Sequence, residues 1–338
     1  MRTHFALLLL LLAGFAVRVD AQSTAPLKLL QKIPMPNVQG RLDHSAVDLK
    51  KKRLFVAALG DHQNSVEVID LKSGKRVASI PGQSKPQGIF YSADFKKLFV
   101  ANGTDGTCKI FRGDNFKLIT SLPVGANADH AGYDSASKYL YVGTGDAKGG
   151  ALSIVDTRTD KQVADIKMDA RPGGIKFEKK SGRIFTTLAG ANHLGVVDIQ
   201  KREQVSALPT GVAGNVALAL DEGHHRLFDG VREPATLIVL DTESGKEVSR
   251  LEGVAGIDDL WYDAAHQRIY ASGGRGSEVG FVYVYQQKDA DHYELLAKVA
   301  TAASAGTSLW VPELNRLYVA APASDKEDAG VLVFEPQP

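Results

Sequence analysis

Lys52-Arg53-Leu54-Phe55-Val56-Ala57 is the stretch on which the reading of this chain turns, because it recurs six more times. Three echoes are Lys97-Leu98-Phe99-Val100-Ala101, Tyr139-Leu140-Tyr141-Val142-Gly143 and Arg183-Ile184-Phe185-Thr186-Thr187. Three more follow: Arg226-Leu227-Phe228-Asp229-Gly230, Arg268-Ile269-Tyr270-Ala271-Ser272 and Arg316-Leu317-Tyr318-Val319-Ala320. From one anchor Leu or Ile to the next, the spacings are 44, 42, 44, 43, 42 and 48.

Seven copies at a period in the low forties predict a repeat architecture, and this period suits one four-stranded propeller blade. Each repeat carries four strand signals, here called a to d from the channel outward. In the first repeat, Ser45 to Asp48 is strand a and Leu54 to Ala57 is strand b. Val66-Glu67-Val68-Ile69-Asp70 alternates at period two as strand c, and Arg76 to Ile80 is strand d after the turn Ser73-Gly74-Lys75. The last repeat ends at Phe334 without an outer strand. Leu27 to Ile33 is a spare strand near the other end, so it is expected to close blade seven beside Val331 to Phe334 and remove two open sheet edges. The predicted fold is all-β: a seven-bladed β-propeller of four-stranded blades over residues 22–338, read as a single domain.

Residues 1–21 read as a signal peptide. A basic start, an apolar run with six consecutive leucines and the small-residue site Val19-Asp20-Ala21 predict cleavage after Ala21, and no second apolar run suggests a membrane span. The expected location is periplasmic or secreted. Removing Arg2, Arg18 and Asp20 with that segment leaves 38 basic and 38 acidic residues, so electrostatics gives no case for nucleic acid or an anionic membrane. Cys108 is the only cysteine, which excludes an intramolecular disulfide.

The repeats resemble the seven-bladed YVTN-type β-propellers of exported bacterial proteins. Leu54-Phe55-Val56-Ala57, Leu98-Phe99-Val100-Ala101 and Leu140-Tyr141-Val142-Gly143 carry that family's tetrapeptide, and the Val-x-Val-Ile-Asp-x-x-x-Gly-Lys pattern of the first repeat is also of its kind. The likeness runs over residues 27–335. WD-repeat propellers match less well, since neither Trp261 nor Trp310 is followed by Asp. The resemblance implies a ligand face at the mouth of the central channel, built from d–a and b–c connections.

Aligning the blades on the anchor residue places side chains at shared levels. Ten positions before it stand His44, Gly88, His130, Gly174, Ala217, Asp259 and Thr307; eleven before stand Asp43, Gln87, Asp129, Gly173, Val216, Asp258 and Gly306. Three blades thus bring Asp43-His44, Asp129-His130 and Asp258-Asp259 to the channel mouth, while the small residues of the other blades are expected to leave room. Arg41, Arg171 and Arg232 are candidate outer contacts, and Arg275 in its glycine-rich loop reads as solvated. Three chemistries remain open for the cluster: a divalent metal on His44 and His130, acid–base work on a polar substrate, and capping of strand-end amides. His62 and His193 fall on the same face, whereas His224, His225, His266 and His292 fall on the opposite one. No Gly-x-Ser-x-Gly elbow, His-Glu-x-x-His or Cys-x-x-Cys-His motif occurs.

The function read from this pattern is an exported binding module, expected to be a monomer, that takes a small polar ligand or a protein partner at its top face. Two further classes stay open: a hydrolase or lyase resembling lactonase-type propellers, and an accessory of a periplasmic redox enzyme.

Overall fold

The computed structural model describes residues 25–60 and 64–338; the signal segment, and His62 with it, lie outside them. Seven sheets of four antiparallel strands form the predicted ring. Within each of the first six, chain order runs from the channel outward. The seventh is ordered differently: Leu27–Pro34 lies outermost, beside Gly330–Pro336, then Arg316–Ala321 and Ser308–Val311. Leu27 pairs with Pro336 and Ile33 with Val331, with a bulge between Leu29 and Gln31, so the N-terminal strand closes blade seven as expected.

The recurring strand b is apolar on both faces because each blade is sandwiched between two others. Phe55, Phe99, Tyr141, Phe185, Phe228 and Tyr270 are all buried, as are the residues flanking them. Phe55, Ala57, Val66 and Val68 of blade one pack on Ile89, Tyr91, Leu98 and Val100 of blade two, and similar clusters join the other blades. The core is therefore a ring of inter-blade layers. Strand d has one free edge and one solvated face, and its residues alternate accordingly, as along Tyr293–Ala300.

The a–b turns explain the polar residues on the opposite face. Lys52, Lys96, Lys138, His225, Gln267 and Asn315 all take a left-handed φ immediately before strand b. The Asp that ends strand a bonds back into several of these turns. His224 is half exposed yet tied in, with Nδ1 2.7 Å from Asp221 Oδ2, and His266 repeats the contact with Asp263 at 2.7 Å. His225 Nδ1 lies 3.7 Å from buried Glu178. His224 and His266 thus order their turns.

Strand a is longer than the sequence pattern suggested. In blade one it runs over Arg41–Asp48 and carries a bulge, because Leu42 pairs with Ala58 but Ser45 with Val56. Asp43 and His44 together oppose one residue. The same irregularity falls at Gln87-Gly88, Gly173-Gly174, Val216 and Asp258. In blade three, Asp129 N–H donates to Gly143 O at 3.0 Å and Gly143 N–H donates to His130 O at 3.0 Å, so again two residues meet one. A bulge re-aims side chains that a regular strand would send to opposite faces.

Candidate functional site

The bulges bring the predicted residues together at one end of the channel. Arg41, Asp43, His44, Asp129, His130, Arg171, Arg232 and Asp258 line a basin of about 560 Å³. Asp259 faces a smaller chamber beneath it. His44, His130 and Asp258 line both spaces and form the layer between them. The imidazoles of His44 and His130 lie with their centroids 4.5 Å apart.

Four buried or nearly buried carboxylates at one mouth repel unless each is compensated. Here every one has its own cation. Arg41 bonds Asp43, and Arg232 bonds Asp258 while its Nε donates to Ile257 O at 2.8 Å. Arg171 reaches from the connection into blade four to Asp129 Oδ2 at 2.6 Å. His44 Nδ1 stands 3.4 Å from Asp259 Oδ1, and Asp259 Oδ2 accepts the Ser308 amide at 2.8 Å. Burial pulls the His44 imidazole down, but Asp259 and Asp43 outweigh it and raise its pKa to about 10. Burial lifts Asp43 to about 6 against His44 and Arg41. Burial also works against the Asp129 carboxylate, yet His130, His44 and Arg171 hold it down to about 2. With His44 protonated, four negative charges meet four positive ones.

His130 is different. Burial holds its imidazole down to about 4 despite Asp129, whose Oδ1 lies 3.5 Å from Nδ1. Both of its ring nitrogens are buried without a hydrogen-bond partner among the described residues. This neutral ring is an unused donor and acceptor in the layer between basin and chamber. His44, Asp129 and His130 can each offer one ligand atom, all within 4.8 Å of one another, so among the described residues these three could hold a metal.

Several lining residues escaped the sequence reading. Arg275, read as solvated, is part of the basin wall, and so are Lys85, Asn127, Asp146 and Asn215. The blade alignment contained the signal one step further out. Thirteen positions before the anchor stand Arg41, Lys85, Asn127 and Arg171, all in the wall. The expectation of open room opposite the charged blades needs correction at Gly88. A Cβ there would meet Asp129 O at 2.1 Å, so this glycine lets the neighbouring backbone approach. Arg275, by contrast, was hidden because only the ring brings its loop to the wall that Arg41 also lines.

No family model and no curated protein sequence matches this chain. Its fold is similar to a chain in a solved structure described as the crystal structure of the mitotic checkpoint complex. That likeness has a TM-score of 0.74 at 14% identity and covers 97% of this chain and 98% of the other. At that identity it shows the seven-bladed propeller fold and nothing finer.

Proposed function

We propose that this protein is an exported YVTN-type propeller whose channel-mouth basin binds a small polar anion, carboxylates being the class that fits best. The observation that carries the reading is the charge left after the four internal pairs. Beyond them the wall has Lys85 and Arg275 against Asp146, and among the described residues neither Lys85 nor Arg275 forms an ion pair. Burial lowers Arg275, with Arg41 adding to it, which makes a bound anion beside it favourable. The neutral His130 and the amides of Asn127 and Asn215 supply uncharged hydrogen bonds to the rest of a polar ligand.

Calorimetry with acetate, succinate, citrate and inorganic phosphate tests this. One of these should bind, more weakly at high salt. The Lys85→Ala, Arg275→Ala double variant should lose at least about tenfold in affinity, since a hydrogen bond to a charged group is worth about 1.5–3 kcal/mol. No binding of any anion, or binding unchanged in the variant, overturns the reading. Elemental analysis of protein purified without chelator separates it from a metal on His44, Asp129 and His130.

A second reading has its own observation. Two adjacent imidazoles pushed in opposite directions, about 10 for His44 and about 4 for His130, resemble a matched acid and base. Turnover on a lactone panel that His130→Gln abolishes would favour a hydrolase or lyase over a binding module. Export itself is tested by sequencing the N-terminus of the mature protein, expected at Gln22.

A further inference from the structure

Beneath the basin lies a chamber of about 110 Å³, with apolar walls at Ile89, Ile175, Leu218 and Leu260 and polar ones at His44, His130, Asp258 and Asp259. One amine enters it. Lys176 lies on strand a of blade four, below the paired glycines Gly173 and Gly174. Its ammonium sits 4.8 Å from the ring centroid of Trp261, which comes from blade six. That indole is held in place, because its Nε1 donates to Ser308 Oγ at 3.0 Å and Ser272 Oγ donates to the same oxygen at 2.7 Å. Among the described residues no carboxylate oxygen lies within 4.0 Å of the Lys176 ammonium. Burial lowers its pKa, and Asp259 offsets this only in part.

A buried ammonium without an ion-pair partner is costly, whereas a buried neutral amine is much less so. A desolvated lysine is therefore a better nucleophile than a solvated one. Asp259 and Asp258, which also line the chamber, repel an anion drawn to Lys176. The occupant that fits is uncharged and electrophilic.

We propose that Lys176 forms an imine with a small aldehyde or ketone that enters the chamber through the layer of His44, His130 and Asp258. The amine nitrogen adds to the carbonyl carbon, the π pair moves to oxygen, and an N–H proton follows it to give a carbinolamine. The hydroxyl then leaves with the second N–H proton as water, and a C=N bond remains. Atoms and electrons balance without an oxidant, reductant or cofactor. The step does not rest on the basin's anion, since the probe that tests it is neutral.

The test is labelling of the whole protein with acetone and cyanoborohydride at pH 7, mapped by peptide mass spectrometry. Hydride reduces the imine to a stable isopropyl-lysine. Lys176 should be labelled at least about tenfold faster than the median lysine, because a larger fraction of it is free amine. Lys176→Met keeps an unbranched side chain of similar length against Trp261 without a charge and should melt like the parent while losing the fast label. Labelling of Lys176 at or below the rate of the surface lysines overturns the proposal. So does a fast lysine label that is undiminished when Lys176 becomes Met. Because the site is mapped in the unaltered protein, a variant that fails to fold leaves the first result decisive.

Discussion

Asp229 stands two positions after its anchor, where Val56, Val100, Val142 and Val319 stand in other blades. It is fully buried, between Leu218 and Ile238 in the ladder, and neither carboxyl oxygen has a partner among the described residues. Burial raises its pKa well above the usual range, with only Arg250 opposing. A carboxyl whose folded pKa is raised binds its proton more tightly in the native state. Its cost to stability is therefore absent at low pH and grows as pH rises above the unfolded value of about 4. Asp229→Val should stabilise the protein by about 1–3 kcal/mol at neutral pH, the cost of an unsatisfied buried polar group. That gain should shrink towards pH 4. Urea titrations at pH 4, 5 and 7 measure it, and a destabilised variant would show that the carboxyl has a use in the fold. Arg41, Arg171 and Arg232 show the opposite case, in which every buried charge has a partner.

At the scale of the element, the N-terminal strand is the part that makes the ring one body. Leu27 is buried against Tyr270, Val282 and Val284 of blade six, whereas Ile33 and Met35 pack with Leu54 and Val56 of blade one. One strand thus serves two inter-blade layers besides pairing with Gly330–Pro336. Deleting residues 27–33 removes two fully buried side chains, worth about 3–6 kcal/mol together at about 1.5–3 each, and exposes an edge of blade seven. The truncated protein should be insoluble or melt far below the parent. Melting like the parent would mean that the closure carries no stability. The bulges of strand a are the second decisive element. They let adjacent residues such as Asp43 and His44 share the basin, which the alternation of a regular strand would forbid.

For the whole molecule, the ends of the described chain meet, since Gln337 N–H donates to Pro26 O at 2.9 Å. The ring should therefore tolerate being opened elsewhere. A circular permutant of residues 25–338, with the old ends joined and new ends in the long c–d connection between Gln287 and Tyr293, should give the same circular dichroism and a similar melting temperature. The new ends fall where Asp289 and His292 are exposed and bond each other; Arg226 of blade five reaches Ala290 O and Asp291 in this connection, so the cut touches a surface contact between blades but no apolar layer. Loss of cooperative unfolding in the permutant would show that blade order in the chain matters beyond contacts.

The sequence by itself determined the number of blades, their four strands and the partner of the N-terminal strand. These follow from local patterns: an anchor repeated at a near-constant period, alternation along strand c, and a final repeat one strand short. It also determined which level of strand a reaches the channel, because equivalent positions in a symmetric ring converge on one axis even when they lie 216 residues apart, as Asp43 and Asp259 do. Only the tertiary structure decided how the charges pair. Arg171 lies 42 residues from Asp129, and Arg232 lies 26 from Asp258. No periodicity specifies such partners, which depend on the twist and spacing of neighbouring blades. The same holds for Arg275 in the basin wall, for Lys176 over Trp261 and for the unpartnered His130. Their surroundings come from blades distant in sequence, and desolvation, which makes them chemically unusual, exists only once the ring has closed.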